Sequence, residues 1–210
     1  MHGKFITFEG IDGSGKSTQM RMLAKSLREH GVDVVSTCEP GGTPLGRRLR
    51  EIFLEAEEQV APMAELLLFA ADRAQHVELL IKPAIAEGRI VISDRYADAT
   101  FAYQGAGRGF DAPTVSKVIE LATGNLKPDL TLFFDIPVET ALERRKARGE
   151  DERSNRMDFE AAEFYLRVRE AYLGIAEREP GRFKVLDGTG TIDEIRRNVI
   201  AVVNKFLNLE

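Results

Sequence analysis

One stretch, Phe8 to Thr18 (FEGIDGSGKST), constrains this chain more than any other. It begins at the end of an apolar run, KFITF, and leads into a helical pattern in which Met20, Leu23, Ala24 and Leu27 recur on one face. Between the two lie glycines, acids, a lysine and hydroxyls. Gly10 to Ser17 fits G-x-x-x-x-G-K-[ST], and a preceding strand and a following helix are the setting in which that pattern has physical meaning. Glycine admits backbone conformations closed to other residues, so successive N–H groups can turn inward around a phosphate. The helix N-terminus adds partial positive charge. The candidate triphosphate-binding residues here are therefore Gly10, Ile11, Asp12, Gly13, Ser14, Gly15, Lys16, Ser17 and Thr18. Lys16 is suited to the β- and γ-phosphates, and the Ser17 hydroxyl to Mg²⁺. The loop alone does not choose among kinases, switches and motors.

The remaining pattern fits the fold such a loop needs. VDVVS, RIVIS, LTLFFD and FKVL read as further strands, several apolar on both faces, and Ala141, Leu142 and Arg145 follow helical spacing. HGVD, AEGR and LKPD punctuate the alternation. The expectation is an α/β chain: a P-loop NTPase-type doubly wound parallel sheet of about five strands flanked by helices, forming one domain over residues 1–210. The basic, glycine-containing segment Arg144 to Asp158 (RRKARGEDERSNRMD) is expected to be a mobile lid or an exposed loop between helices.

A formal net charge of −5 argues against binding a nucleic acid polymer by bulk electrostatics, so any anion site must be local. Cys38 is the sole cysteine, which leaves no internal disulfide, and His2, His30 and His76 lack metal-ligand spacing. No signal peptide or membrane span is read from the chain, which is expected to be cytoplasmic.

RIVISDRY narrows the chemistry. Asp94, at the end of a buried strand, is where a carboxylate serving Mg²⁺ belongs, and Arg95 beside it offers a planar fork for a second anion. Two phosphate-bearing ligands at one mouth imply phosphoryl transfer. The Asn-Lys-x-Asp stretch of a guanine-binding switch is absent from the sequence.

Taken in order, FEGIDGSGKST, EPGGT, PLGRRLREIFL, LLLFAADRAQH, DRYADATFAYQGAGRG and PDLTLFFDIPVETALERR give a chain that resembles the bacterial-type thymidylate kinases along nearly its whole length. The resemblance implies transfer of the γ-phosphate of ATP to dTMP, giving dTDP and ADP, with Mg²⁺, for dTTP biosynthesis. It also implies a homodimer. On the matching positions, Phe69 stacks on thymine, and Arg73, one helical turn on, addresses its carbonyl edge. Thr100 and Gln104 hydrogen-bond the base, Tyr103 crowds the sugar's 2′ position, and Arg50 and Arg95 hold the dTMP phosphate. Asp12 accepts from the 3′-hydroxyl, and Glu39 and Pro40 border the acceptor. Glu9 and Glu39 are candidates for organising the loop, Mg²⁺ or water. The lid is expected to bring Arg148 to ATP and Arg153 or Arg156 to the transferred phosphoryl, with Lys16 and Arg95 as the other catalytic residues; NRMD favours Arg156. The family more often has paired serines where ADATFAYQG has Ala99 and Thr100. The alternative readings are a kinase for another pyrimidine nucleotide or nucleoside, and a non-transferring P-loop switch.

Overall fold

A computed structural model describes residues 3–54, 60–147 and 160–209. Five parallel strands form one sheet in the order β2-β3-β1-β4-β5: β1 (Lys4–Glu9), β2 (Val34–Cys38), β3 (Ile90–Asp94), β4 (Leu130–Asp135) and β5 (Phe183–Asp187). In β1, Phe5, Ile6 and Phe8 are fully buried, because the central strand is covered on both faces.

Helices α1 (Lys16–Glu29) and α9 (Ile192–Leu207) cover one face, where Leu23, Leu27, Ile195, Val199 and Val203 pack on Ile6, Phe8 and Leu132. On the other face α8 (Ala162–Arg178) brings Tyr165, Val168 and Tyr172 against Phe133 and Phe183. Each such side chain contributes roughly 1.5–3 kcal/mol when fully buried.

Register decides where the site forms. Phe8 and Cys38 both lie opposite Asp94, so β1, β2 and β3 end at one level. The residues after them, Gly10, Glu39 and Arg95, therefore leave the sheet along one edge, beside the central strand where the winding reverses.

The order of elements matches the sequence expectation, with two shifts. VDVVS starts two residues ahead of β2: Val32 N–H donates to Leu27 O at 3.0 Å, so this valine closes the end of α1 instead of opening a strand. The segment expected from Arg144 onward as a mobile lid or exposed loop also begins within a helix. Residues 144–147 finish α7 (Val138–Ala147), and the Arg144 guanidinium donates to the carbonyls of Gly188 and Thr189 at 2.9 and 3.4 Å. Arg148, Arg153 and Arg156 lie outside the described residues.

Two helical runs widen locally. Helix α3 (Pro62–His76) passes through a π-helical turn, Val77–Ile81, into α4 (Lys82–Ala86), just ahead of Pro83, which has no N–H to continue an ordinary ladder. Helix α5 (Ala97–Thr100) continues as the π-helical Phe101–Gly107, which carries Tyr103 and Gln104. Among the described residues, no helix is long and apolar enough to cross a membrane.

Candidate active site

The glycine-rich loop joins β1 to α1. Gly13 has φ +95°, and a Cβ there would lie 2.5 Å from Ala141 O, so both conformation and space require glycine. Gly15, at φ +89°, turns the chain into α1, whose first residue is Lys16. Ile11 is buried beneath the loop, and the buried Ser14 Oγ has no hydrogen-bond partner. Thr18 follows Ser17 in the first turn, where its N–H donates to Gly15 O at 3.1 Å.

Lys16 is nearly buried, and its Nζ lies 3.1 Å from Asp12 Oδ1 and 3.8 Å from Asp94 Oδ1. Ser17 Oγ donates to Asp94 Oδ2 at 2.5 Å, while the buried Asp94 Oδ1 has no hydrogen-bond partner. A hydroxyl and a carboxylate with a spare oxygen fit Mg²⁺, which prefers few protein oxygens completed by phosphates and water. The described residues contain no cluster of three or more His, Cys, Asp or Glu side chains that could hold a metal alone.

Beside the loop lies a cavity with about 610 Å³ of empty space, including its open mouth. Its wall is assembled from distant segments. Glu39 and Pro40 come from the turn after β2, Arg50 from α2 (Pro44–Leu54), and Phe69 and Arg73 from α3. Arg95 comes from the end of β3, and Ala99, Thr100, Tyr103 and Gln104 from the widened helix. Asp12 reaches in from the loop. Every residue expected at the acceptor thus borders one cavity, with Ala99 in addition.

Arg95 is the join. It adopts φ +70°, unusual for a residue with a Cβ, and its N–H donates to Phe8 O at 2.9 Å. Its guanidinium donates to Asp12 Oδ1 at 2.8 Å and to the Tyr103 hydroxyl at 3.1 Å. Burial opposes the charge on Asp12, but Arg95 and Lys16 outweigh it and hold the carboxyl well below the usual range. Arg50 donates to Pro40 O at 3.1 Å. Phe69 is half-buried against the core that includes Tyr103 and Phe164.

A family model described as Thymidylate kinase matches residues 8–199. The chain belongs to the thymidylate kinase family. It is 48% identical to the thymidylate kinase of Pseudomonas putida (strain GB-1), over 97% of this chain and 96% of that protein. It is likewise 48% identical to the thymidylate kinase of Geotalea daltonii, over 98% and 99% of the two chains. The crystal structure of thymidylate kinase from Ehrlichia chaffeensis superposes with a TM-score of 0.79 at 36% identity, covering 97% of this chain and 99% of that one.

In this thymidylate kinase family member, buried acids hold several of the groups that line or flank the cavity. Glu39 accepts from Arg73 Nε at 2.7 Å and is 2.8 Å from His76 Nδ1, while His76 Nε2 lies 2.7 Å from Thr37 Oγ1. Arg73 also donates to Thr100 Oγ1 at 2.7 Å and to Tyr96 O at 3.0 Å. Glu39 therefore orients Arg73 as well as bordering the cavity. Asp72 accepts from Gly41 N–H at 3.1 Å, and burial, then the Glu39 charge, push its carboxyl up to about 6. Glu9 accepts from Tyr96 N–H at 2.8 Å and Tyr172 O–H at 2.7 Å, clamping the backbone next to Arg95. Burial, then Asp98, push Glu9 up to about 8.

Sequence reading missed Tyr172, Glu65 and Arg108. Glu65 accepts from Gln104 and Arg108. Its signal was available: Glu65, Phe69 and Arg73 repeat every four residues along α3, so an acid shares the face that carries the expected base contacts.

Proposed function

We propose that this chain transfers the γ-phosphate of ATP to dTMP, giving dTDP and ADP, as a cytoplasmic enzyme whose chain forms a single kinase domain with a lid. The observation that carries the reading is the shared carboxylate. Asp12 Oδ1 meets Lys16 of the phosphate loop at 3.1 Å and Arg95 of the cavity at 2.8 Å, so the two sites open onto one point. A triphosphate on the loop and a monophosphate at Arg95 meet there end to end.

Phosphoryl transfer asks chiefly for positioning and charge compensation. The loop's N–H groups and Lys16 hold the donor phosphates, while Arg95 and Arg50 hold the acceptor's. Phe69 stacks on thymine, and Arg73, Thr100 and Gln104 address its polar edge. Tyr103 lies against the sugar, where a 2′-hydroxyl would clash, and Asp12 receives the 3′-hydroxyl. Ser17 and Asp94 hold Mg²⁺, which when bound neutralises charge on the phosphate oxygens. Arg148 serves ATP from the lid, and Arg156 or Arg153 serves the transferred group. The acceptor phosphate is already anionic at neutral pH, so no strong base is required.

The test is a panel of dTMP, dUMP, UMP, CMP and thymidine with ATP. Transfer to dTMP above the others is expected, and failure on dTMP alongside activity on another acceptor overturns the reading. A homodimer is part of the proposal, supported by Leu45 and Ile52 on α2 and Met63 and Leu67 on α3, large apolar side chains left exposed. Light scattering should then give twice the chain's mass.

A further inference from the structure

A side-chain amide has a donor end and an acceptor end of nearly equal shape, and half a turn about its last bond exchanges them. Gln104 borders the cavity and is otherwise buried. Which end faces the ligand therefore decides which edge of a base is accepted.

The surroundings of Gln104 fix that choice. Gln104 Nε2 donates to Glu65 Oε1 at 2.9 Å. Glu65 is fully buried in the first turn of α3, and it accepts from Arg108 Nε and from an Arg108 terminal nitrogen, both at 3.1 Å. Arg108 in turn pairs with Glu160 at 2.6 Å. A two-pronged guanidinium contact favours the ionised carboxylate, and an ionised carboxylate only accepts. Turning Gln104 over would set its carbonyl oxygen against that carboxylate in a dry interior, where two acceptors have no proton to share. Gln104 thus gives its amino end to Glu65 and keeps Oε1 for the ligand.

The geometry points to Glu65 as a positioning residue that sets nucleobase specificity, by locking the Gln104 amide so that the cavity accepts a base with N–H at ring position 3 and rejects one with a lone pair there. The inference rests on the dTMP reading above. Thymine presents N3–H between two carbonyls. Cytosine presents an acceptor nitrogen at position 3 and an amino group at position 4. Against Oε1 that nitrogen is a like-for-like mismatch, and a site built on hydrogen-bond polarity discriminates through the unpaired group. Glu65 does this without touching the nucleotide.

The probe is 5-methyl-dCMP, which shares the shape of dTMP and differs only at that edge. Its inhibition constant against dTMP phosphorylation is compared with the KM for dTMP. In Glu65→Gln the neutral amide can take either end of Gln104, so the preference for dTMP is expected to narrow by at least about tenfold, chiefly through KM and with a smaller change in kcat. A loss of both affinities in proportion, with the preference kept, overturns the inference. Arg108→Met removes the guanidinium whose two-pronged contact favours the ionised Glu65 carboxylate. It should narrow the preference in the same direction by a smaller factor, and it carries the test alone if Glu65→Gln does not fold; an unmoved preference in that variant overturns the inference. Wild-type protein separates the two claims. If it does not phosphorylate dTMP, the functional reading fails; if it does and neither variant moves the preference, only the role of Glu65 fails.

Discussion

The phosphate loop and the acceptor cavity meet at Asp12 but are built in opposite ways. The loop is one contiguous run whose recognition elements are mainly backbone N–H groups and a helix terminus, so it suits any nucleoside triphosphate. The cavity draws side chains from six separate segments, several of them held by a buried or half-buried acid: Arg73 by Glu39, Gln104 by Glu65, Arg95 by Asp12. On the proposed reading, generic binding follows from local chain geometry, whereas selectivity follows from polar groups whose orientation is over-determined by long-range pairing. Stability and specificity are accordingly entangled in the cavity and separable in the loop.

The sharpest way to break that comparison is Arg73→Met. It leaves Glu39, 4% exposed, without its guanidinium, and removal of one partner of a buried pair costs about 3–5 kcal/mol. Denaturant unfolding should register this loss, and a variant as stable as the parent would refute the entanglement. Lys16→Ala tests the loop. It should slow turnover by at least about tenfold, about 1.4 kcal/mol in the barrier, for every acceptor alike, with a smaller loss in unfolding than Arg73→Met because Asp12 keeps Arg95 as its partner. Steady-state rates across the acceptor panel check this, and a selective effect on one acceptor would count against it.

Glu9 gives a pH test. Its carboxyl, ordinarily near 4.5, is raised to about 8 in the folded chain, so the native state holds a proton that the unfolded state releases. That contribution is complete below pH 4.5 and is lost as pH rises through about 8. The unfolding midpoint should therefore fall between about pH 5 and about pH 8.5, and Glu9→Gln should flatten the profile. A variant profile parallel to the parent's would remove Glu9 as the source. The smallest effect is expected at Thr7→Val. It breaks the buried 2.8 Å hydroxyl pair with Thr131 within the sheet, costing about 1 kcal/mol and leaving turnover unchanged. Matched unfolding curves and rate assays would expose any link to the site.

The same contrast explains what could be read from the sequence. The loop was legible because its parts are adjacent, and the strands because burial on both faces leaves uninterrupted apolar runs such as LTLFFD. Asp94 and Arg95 were legible as polar residues ending such a run. The individual cavity residues came from family resemblance, since Phe69 and Arg73 alone fit a core ring and a solvated charge. The supporting contacts were hidden by distance: Glu65 and Gln104 are 39 positions apart, and Glu9 and Tyr172 are 163. Periodicity reports which face of an element is buried but not which partner it finds there. The start of β2 was misplaced for a related reason, because Val32 is apolar for closing α1, not for pairing.

The shared oxygen of Asp12 also bears on what the site ignores. Without nucleotides, Lys16 and Arg95 already share one carboxylate as counterion, at 3.1 and 2.8 Å, which offsets part of their charge. A stray inorganic anion must compete with that built-in counterion and has no ring or sugar with which to offset the loss. A nucleotide brings stacking surface and hydroxyls along with its phosphate. On the proposed reading the acid acts as a threshold, keeping two cations in place without turning the cleft into a trap for free phosphate.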